Sequence, residues 1–133
     1  MGVSSIYNWL SDAIRGEYDS LRLLKESPRG SVSLIRHRSS GRRFILRHFT
    51  GSGEVYRQLL HCTCRHLPTI YEAAEQEGEN LVLEEFIQGD TLSFLLEGAL
   101  LSPQETRPIV AQLCQGLWVL HSMAAVHRDI KPE

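Results

Sequence analysis

No stretch of this 133-residue chain holds the roughly 18 consecutive apolar residues that a membrane-spanning helix needs, and no basic start leads into an apolar signal segment. The opening "MGVSSI" also misses the myristoylation pattern, because Ile6 stands where Ser or Thr is required. No membrane contact is expected within this segment. Cysteine is scarce: three, an odd number, make no disulfide framework, and a cytoplasmic location is expected. Neither sign of charge dominates. Fourteen Lys and Arg against sixteen Asp and Glu leave a net charge of −2, too little basic field to draw the chain to nucleic acid. Repeats, low-complexity runs and linkers are absent as well. What is present, 42% hydrophobic and 23% charged residues, suits an ordinary globular domain with a core of moderate size.

Residues 4 to 15 place Ile6, Trp9, Leu10 and Ala13 or Ile14 at helical spacing, with Gly16 as a stop, so a short amphipathic helix is expected ahead of the domain. Three runs rich in β-branched, aromatic and leucine residues follow, Tyr18 to Leu24, Val32 to His37 and Arg43 to Phe49. "RSSGR" at 38–42 closes a hairpin, and three antiparallel strands are predicted. "TGSGE" at 50–54 breaks the pattern, with Ser52 expected to cap a short helix carrying Val55, Tyr56, Leu59 and Leu60. "TIYEAA" and "NLVLEEFI" predict two more strands, and "DTLSFLLEG" a helix ending at Gly98. In "SPQE" at 102–105, Ser102 is placed as an N-cap, Pro103 at the first helical position and Glu105 in a capping box. The helix so opened carries Ile109, Val110, Leu113, Leu117 and Leu120 along one side. The expected class is α+β: a five-stranded antiparallel sheet with one short helix, followed by further helices.

The last residues, "VHRDIKPE", put His127, Arg128, Asp129, Lys131 and Pro132 in the register of H-R-D-x-K-P-x-N. Together with the element order, this resembles the protein kinase family in its serine/threonine branch; tyrosine kinases usually lack the lysine. The resemblance covers roughly residues 18 to 133 and implies three parts: a helical extension at 1–17, a small nucleotide lobe with its hinge at 18–87, and the start of a helical lobe at 88–133, truncated in the catalytic loop. It implies ATP as phosphoryl donor with Mg2+, and a protein substrate accepting on Ser or Thr. In that family Asp129 would accept or orient the proton of the attacking hydroxyl, and Lys131 would bring positive charge to the transferring group. Arg128 would pair with a phosphorylated activation loop, and His127 would brace the backbone. The Asn that holds magnesium and the D-F-G triplet are expected after Glu133, so no metal ligand is expected here and the 133 residues alone are expected to be inactive.

The resemblance also assigns nucleotide positions. "LVLEEFIQGDTL" at 81–92 matches the fifth strand, the hinge and the following helix, with Glu84 as gatekeeper and backbone groups of Glu85 and Ile87 facing adenine. Leu24 leads into "KESPRGSV" at 25–32, where the family has G-x-G-x-x-G-x-V; only Gly30 and Val32 match. Lys25 and Ser27 replace the first two glycines, and Pro28 removes an N–H donor. Lys25 and Arg29 either hold phosphate by charge or are plain solvated residues. On the third strand Arg47 replaces a lysine of different geometry, and Ile45 replaces a small alanine, narrowing the adenine slot. The helix glutamate that pairs with Arg47 is assigned to Glu54, six residues on, although counting back from "RHLP" favours Val55. A solvent-facing first-turn acid is the other reading of Glu54. These departures keep a pseudokinase-like binding module as the alternative function. "HCTCRH" at 61–66 is spaced too tightly for a zinc framework, and structural cysteine with surface histidine is expected there.

Overall fold

The computed structural model describes residues 3–133, so Met1 and Gly2 of the opening motif lie outside the described residues. The chain forms two compact units, residues 1–63 with 68–86, and residues 64–67 with 87–133.

The first unit holds α1 (Val3–Glu17), β1 (Tyr18–Ser27), β2 (Gly30–His37), β3 (Arg43–Thr50), α2 (Glu54–Leu59), β4 (Ile70–Gln76) and β5 (Glu79–Glu85). Its sheet is five-stranded and antiparallel in the order β1-β2-β3-β5-β4. Two hairpins set the register. Ser27 pairs with Gly30 around Pro28 and Arg29, and Gln76 pairs with Glu79 around Glu77 and Gly78, whose φ values of 51° and 80° suit a tight turn that matches strand twist.

Because side chains alternate across a strand, the sheet has two distinct faces. On one face Ile35, Phe44 and Leu83 bury one another, with Tyr18 and Leu46 packed against them. Leu10 of α1 packs on Ala74 and Leu81 of the same face, flanked by Tyr7 and Ile14. The helix expected to stand ahead of the domain is thus part of this unit's core. Arg38 fixes its end: the guanidinium donates to the Gly16 and Tyr18 carbonyls at 2.7 and 3.2 Å and to Asp19 Oδ1 at 2.8 Å. A cation suits the free carbonyls at a helix C-terminus.

The other face carries the cross-strand row Lys25, Val32, Arg47 and Val82. At its far end the fully buried Asn80 donates through Nδ2 to the Gly51, Phe49 and Gly78 carbonyls at 2.7, 3.3 and 3.4 Å, fastening the loop between β3 and α2. That loop delivers an α2 of only six residues, with Gly53 at its N-cap and no side-chain cap. Ser52, expected as the cap, lies one residue too early, and its Oγ accepts instead from the Glu54 N–H at 3.4 Å.

The second unit holds α3 (Leu92–Gly98) and α4 (Pro103–Ser122). Ser102 and Glu105 complete the predicted capping box, each at 3.1 Å. At the other end, Ala124 and Ala125 donate to the His121 and Leu120 carbonyls at 3.0 and 2.9 Å, with Ala124 left-handed at φ 58°. This is the Schellman closure usually made by glycine. It stops α4 and releases the chain into the "VHRDIKPE" segment. Among the described residues, no helix is long and apolar enough to cross a membrane.

Candidate functional site

A cavity of about 210 Å³ opens on the first unit under the β1–β2 turn, lined chiefly by Lys25, Arg29, Gly30, Val32, Arg47 and Tyr56. Pockets for whole drug-sized ligands begin at roughly 300 Å³, so this one suits part of a ligand. Its charge comes from Lys25, Arg29 and Arg47 on three different segments, which fits an anion.

The turn above it is stiff. Pro28 has no N–H, the Arg29 N–H donates to Ser27 Oγ at 3.3 Å, and the Arg29 carbonyl accepts from the Thr50 N–H at 3.0 Å. An anion under this turn is therefore met by side chains rather than by loop amides. Gly30, matched to the last glycine of a phosphate loop, serves packing: a Cβ there would lie 1.9 Å from the His48 carbonyl oxygen.

Arg47 lies at the cavity wall and donates through Nε to Glu84 Oε2 at 2.7 Å. Glu84 is buried, and it sits diagonally across from Arg47, one same-face position beyond Val82. Burial of the guanidinium works against its charge, but the Glu84 carboxylate and Tyr56 together outweigh that and hold the Arg47 pKa above the ordinary arginine value. Tyr56 of α2 packs beside this pair, its ring tilted 51° to that of Phe49 with the centroids 5.5 Å apart. Burial raises the Tyr56 phenol, Arg47 opposes that, and Glu84 adds to it.

Glu54 does not pair with Arg47. Its carboxylate accepts from Arg57 at 2.9 Å on the same helix, and Arg57 also reaches Glu75 at 2.6 Å. The assignment is corrected: α2 begins at Glu54, so its side chain is an exposed first-turn acid. Among the other predicted nucleotide residues, Lys25, Gly30, Val32 and Arg47 line the cavity, whereas Leu24, at an irregularity of β1, does not. Ile45 lies opposite Glu84 on the same face as Arg47. The Glu85 N–H donates to the Thr69 carbonyl at 2.8 Å, and its side chain accepts from the Thr69 N–H at 3.0 Å. Ile87 is exposed and belongs to the second unit. Ser27, Ser31, His48, Phe49 and Tyr56 also line the cavity and were not identified from sequence.

In the second unit Asp129 and Lys131 form an ion pair at 3.4 Å, both exposed. The Asp129 N–H donates to His127 Nδ1 at 3.1 Å, and Arg128 between them is left-handed at φ 68°. The loop is tied to α3, whose Ser93 N–H donates to the Pro132 carbonyl at 2.8 Å. Among the described residues, no three His, Cys, Asp or Glu side chains cluster as ligands for a metal ion. The three cations at the cavity fit an anion.

A family model described as protein kinase domain matches residues 29–133. The chain is 29% identical over 125 residues to a probable cell division protein kinase of Encephalitozoon cuniculi, covering 87% of this chain and 40% of that protein. It is 28% identical over 109 residues to serine/threonine-protein kinase 1 of the Heliothis zea nuclear polyhedrosis virus, covering 78% of this chain and 41% of that protein. Its fold is similar to that of Rad53 in a solved complex with AMP-PNP, with a TM-score of 0.72 and 19% identity over 90% of this chain and 34% of the other. The chain thus spans about 40% of the length of these curated relatives.

Proposed function

This chain belongs to the protein kinase family, and from that premise we propose that its first unit binds the phosphates of ATP, while within a whole kinase domain the "HRDIK" segment serves phosphoryl transfer to Ser or Thr hydroxyls of a protein. The observation that carries the reading is the cavity under the β1–β2 turn, where Lys25, Arg29 and Arg47 gather. Arginine presents a planar fork of donors to a phosphate, and lysine a compact charge. Asp129 takes the part of the group that orients the acceptor hydroxyl and receives its proton. Lys131, held against it, supplies positive charge near the transferring group. Magnesium would neutralise the phosphates when bound; among the described residues no three His, Cys, Asp or Glu side chains cluster to hold it.

We infer further that the 133 residues bind ATP without transferring its phosphate, because they contain neither the Asn that follows H-R-D-x-K-P-x in the family nor a D-F-G triplet. The test is incubation with γ-labelled ATP, magnesium and a protein rich in Ser, Thr and Tyr, alongside an ATP-binding titration. Saturable binding with no label transfer is expected. Transfer that disappears in Asp129→Asn would overturn the inference of inactivity, label on Tyr would overturn the Ser/Thr reading, and absence of ATP binding would overturn the nucleotide role.

A second reading, a pseudokinase-like binding module, is favoured by Arg47 standing where the family has a lysine and pairing with Glu84 of the neighbouring strand instead of with a helix glutamate. Replacing Arg47 with Lys and Ile45 with Ala sharply strengthens ATP binding if the site is a degraded one. Unchanged or weaker binding contradicts that reading.

A further inference from the structure

The ion pair that should link β3 to a helix is made here inside the sheet. Arg47 and Glu84 belong to adjacent, hydrogen-bonded strands, and their side chains meet on the face that bears the cavity. Glu84 is 7% exposed, so its carboxylate depends on the guanidinium for compensation. The hydrogen bond uses Arg47 Nε and leaves the Nη groups for another acceptor. The charges of helix α2 are engaged elsewhere: Arg57 pairs with Glu54 on the helix and with Glu75 of β4. The helix contributes Tyr56 to the cavity wall, and no carboxylate.

We propose that Glu84 is the positioning residue for Arg47: it holds the guanidinium by Nε so that Nη faces a phosphate in the cavity, and it does so independently of α2. The proposal rests on the ATP reading above and deepens it. A phosphate-binding charge anchored by a neighbouring strand is oriented as soon as the sheet forms, because strand register fixes both partners. A charge anchored by a helix can be released when the helix moves. In this protein no charged side chain of α2 takes part in the Arg47 anchor.

The test titrates the 133-residue chain with ATP and, separately, with adenosine, which lacks phosphates. Glu84→Gln keeps the size and an acceptor oxygen but removes the charge; it is expected to weaken ATP binding about tenfold, the loss of one charge-assisted contact, and to leave adenosine binding unchanged. Glu84→Asp recovers part of the loss. In an Arg47→Gln background, Glu84→Gln adds nothing further, because Glu84 acts through Arg47. Glu54→Gln leaves both affinities as they are.

Equal loss for ATP and adenosine in Glu84→Gln, an undiminished ATP affinity, or a selective ATP loss in Glu54→Gln each overturns the proposal while the nucleotide reading stands. A wild-type chain that binds ATP no better than adenosine overturns both. Should the Glu84 variants fail to fold, the Arg47 Nε–H resonance of the wild type decides. Slow exchange with solvent supports the anchor, and fast exchange removes it.

Discussion

At the residue scale, two side chains define the site's behaviour and a third position defines its shape. Arg47 and Glu84 are both charged and both sit on inner strands, at positions where apolar residues would be ordinary. Gly30 is the shape-setting position. A methyl group there would collide with the β3 backbone at His48, so Gly30→Ala is expected to lower stability by about 3 kcal/mol, read from urea unfolding followed by circular dichroism. A loss under about 0.5 kcal/mol, the range of an ordinary surface substitution, would mean that the hairpin shifts away from β3. Sequence identified Arg47, Glu84 and Gly30 as positions of interest but paired Arg47 with Glu54 instead of Glu84. The register of β3 on β5 decides that Arg47 meets Glu84, and no local pattern encodes that register. A one-residue slip would have turned Glu84 to the opposite face.

At the element scale, the strands and the long helix were legible because their signals are local. Alternation and turn chemistry marked the hairpins, and Ser102, Pro103 and Glu105 marked the start of α4. The docking of α1 was not legible, since a helical period tells which side is apolar but not what covers it. Leu10 is 3% exposed against Ala74 and Leu81, and Leu10→Ala is expected to cost about 2–4 kcal/mol in urea unfolding. A cost near zero would show that α1 is dispensable to the sheet.

The start of α4 also carries a pH dependence. The Ser102 backbone N–H, and then its side chain, hold Glu105 below the ordinary glutamate pKa. A depressed carboxylate stabilises the folded form above its unfolded pKa, and that stabilisation is lost as pH falls from the ordinary glutamate range through the lower folded value. Nuclear magnetic resonance is expected to give Glu105 a lower midpoint in the folded chain than in urea. Coincident midpoints would contradict the capping box.

At the scale of the whole molecule, the two units differ in how completely they bury their apolar side chains. The first has a helix-covered core, whereas the second exposes Phe94, Leu100, Val110, Leu113 and Trp118 along α3, the following loop and α4. Exposed apolar area of this kind drives association. Sedimentation velocity is expected to show species larger than the monomer growing with concentration, and a sharp monomer boundary throughout would contradict this. Family membership was legible from the final motif, because Asp129 and Lys131 are fixed by spacing alone. The anion cavity was only partly legible, since Tyr56, Phe49 and His48 reach it through tertiary packing.

On the proposed function, the cavity beneath the β1–β2 turn receives the phosphates of ATP. This is tested most directly by following the assigned backbone and side-chain resonances of the chain as ATP is added, with adenosine as reference. Shifts specific to ATP are expected at Lys25, Arg29, Arg47 and Tyr56. Identical shifts with adenosine, or ATP-specific shifts that leave these residues untouched, would contradict it.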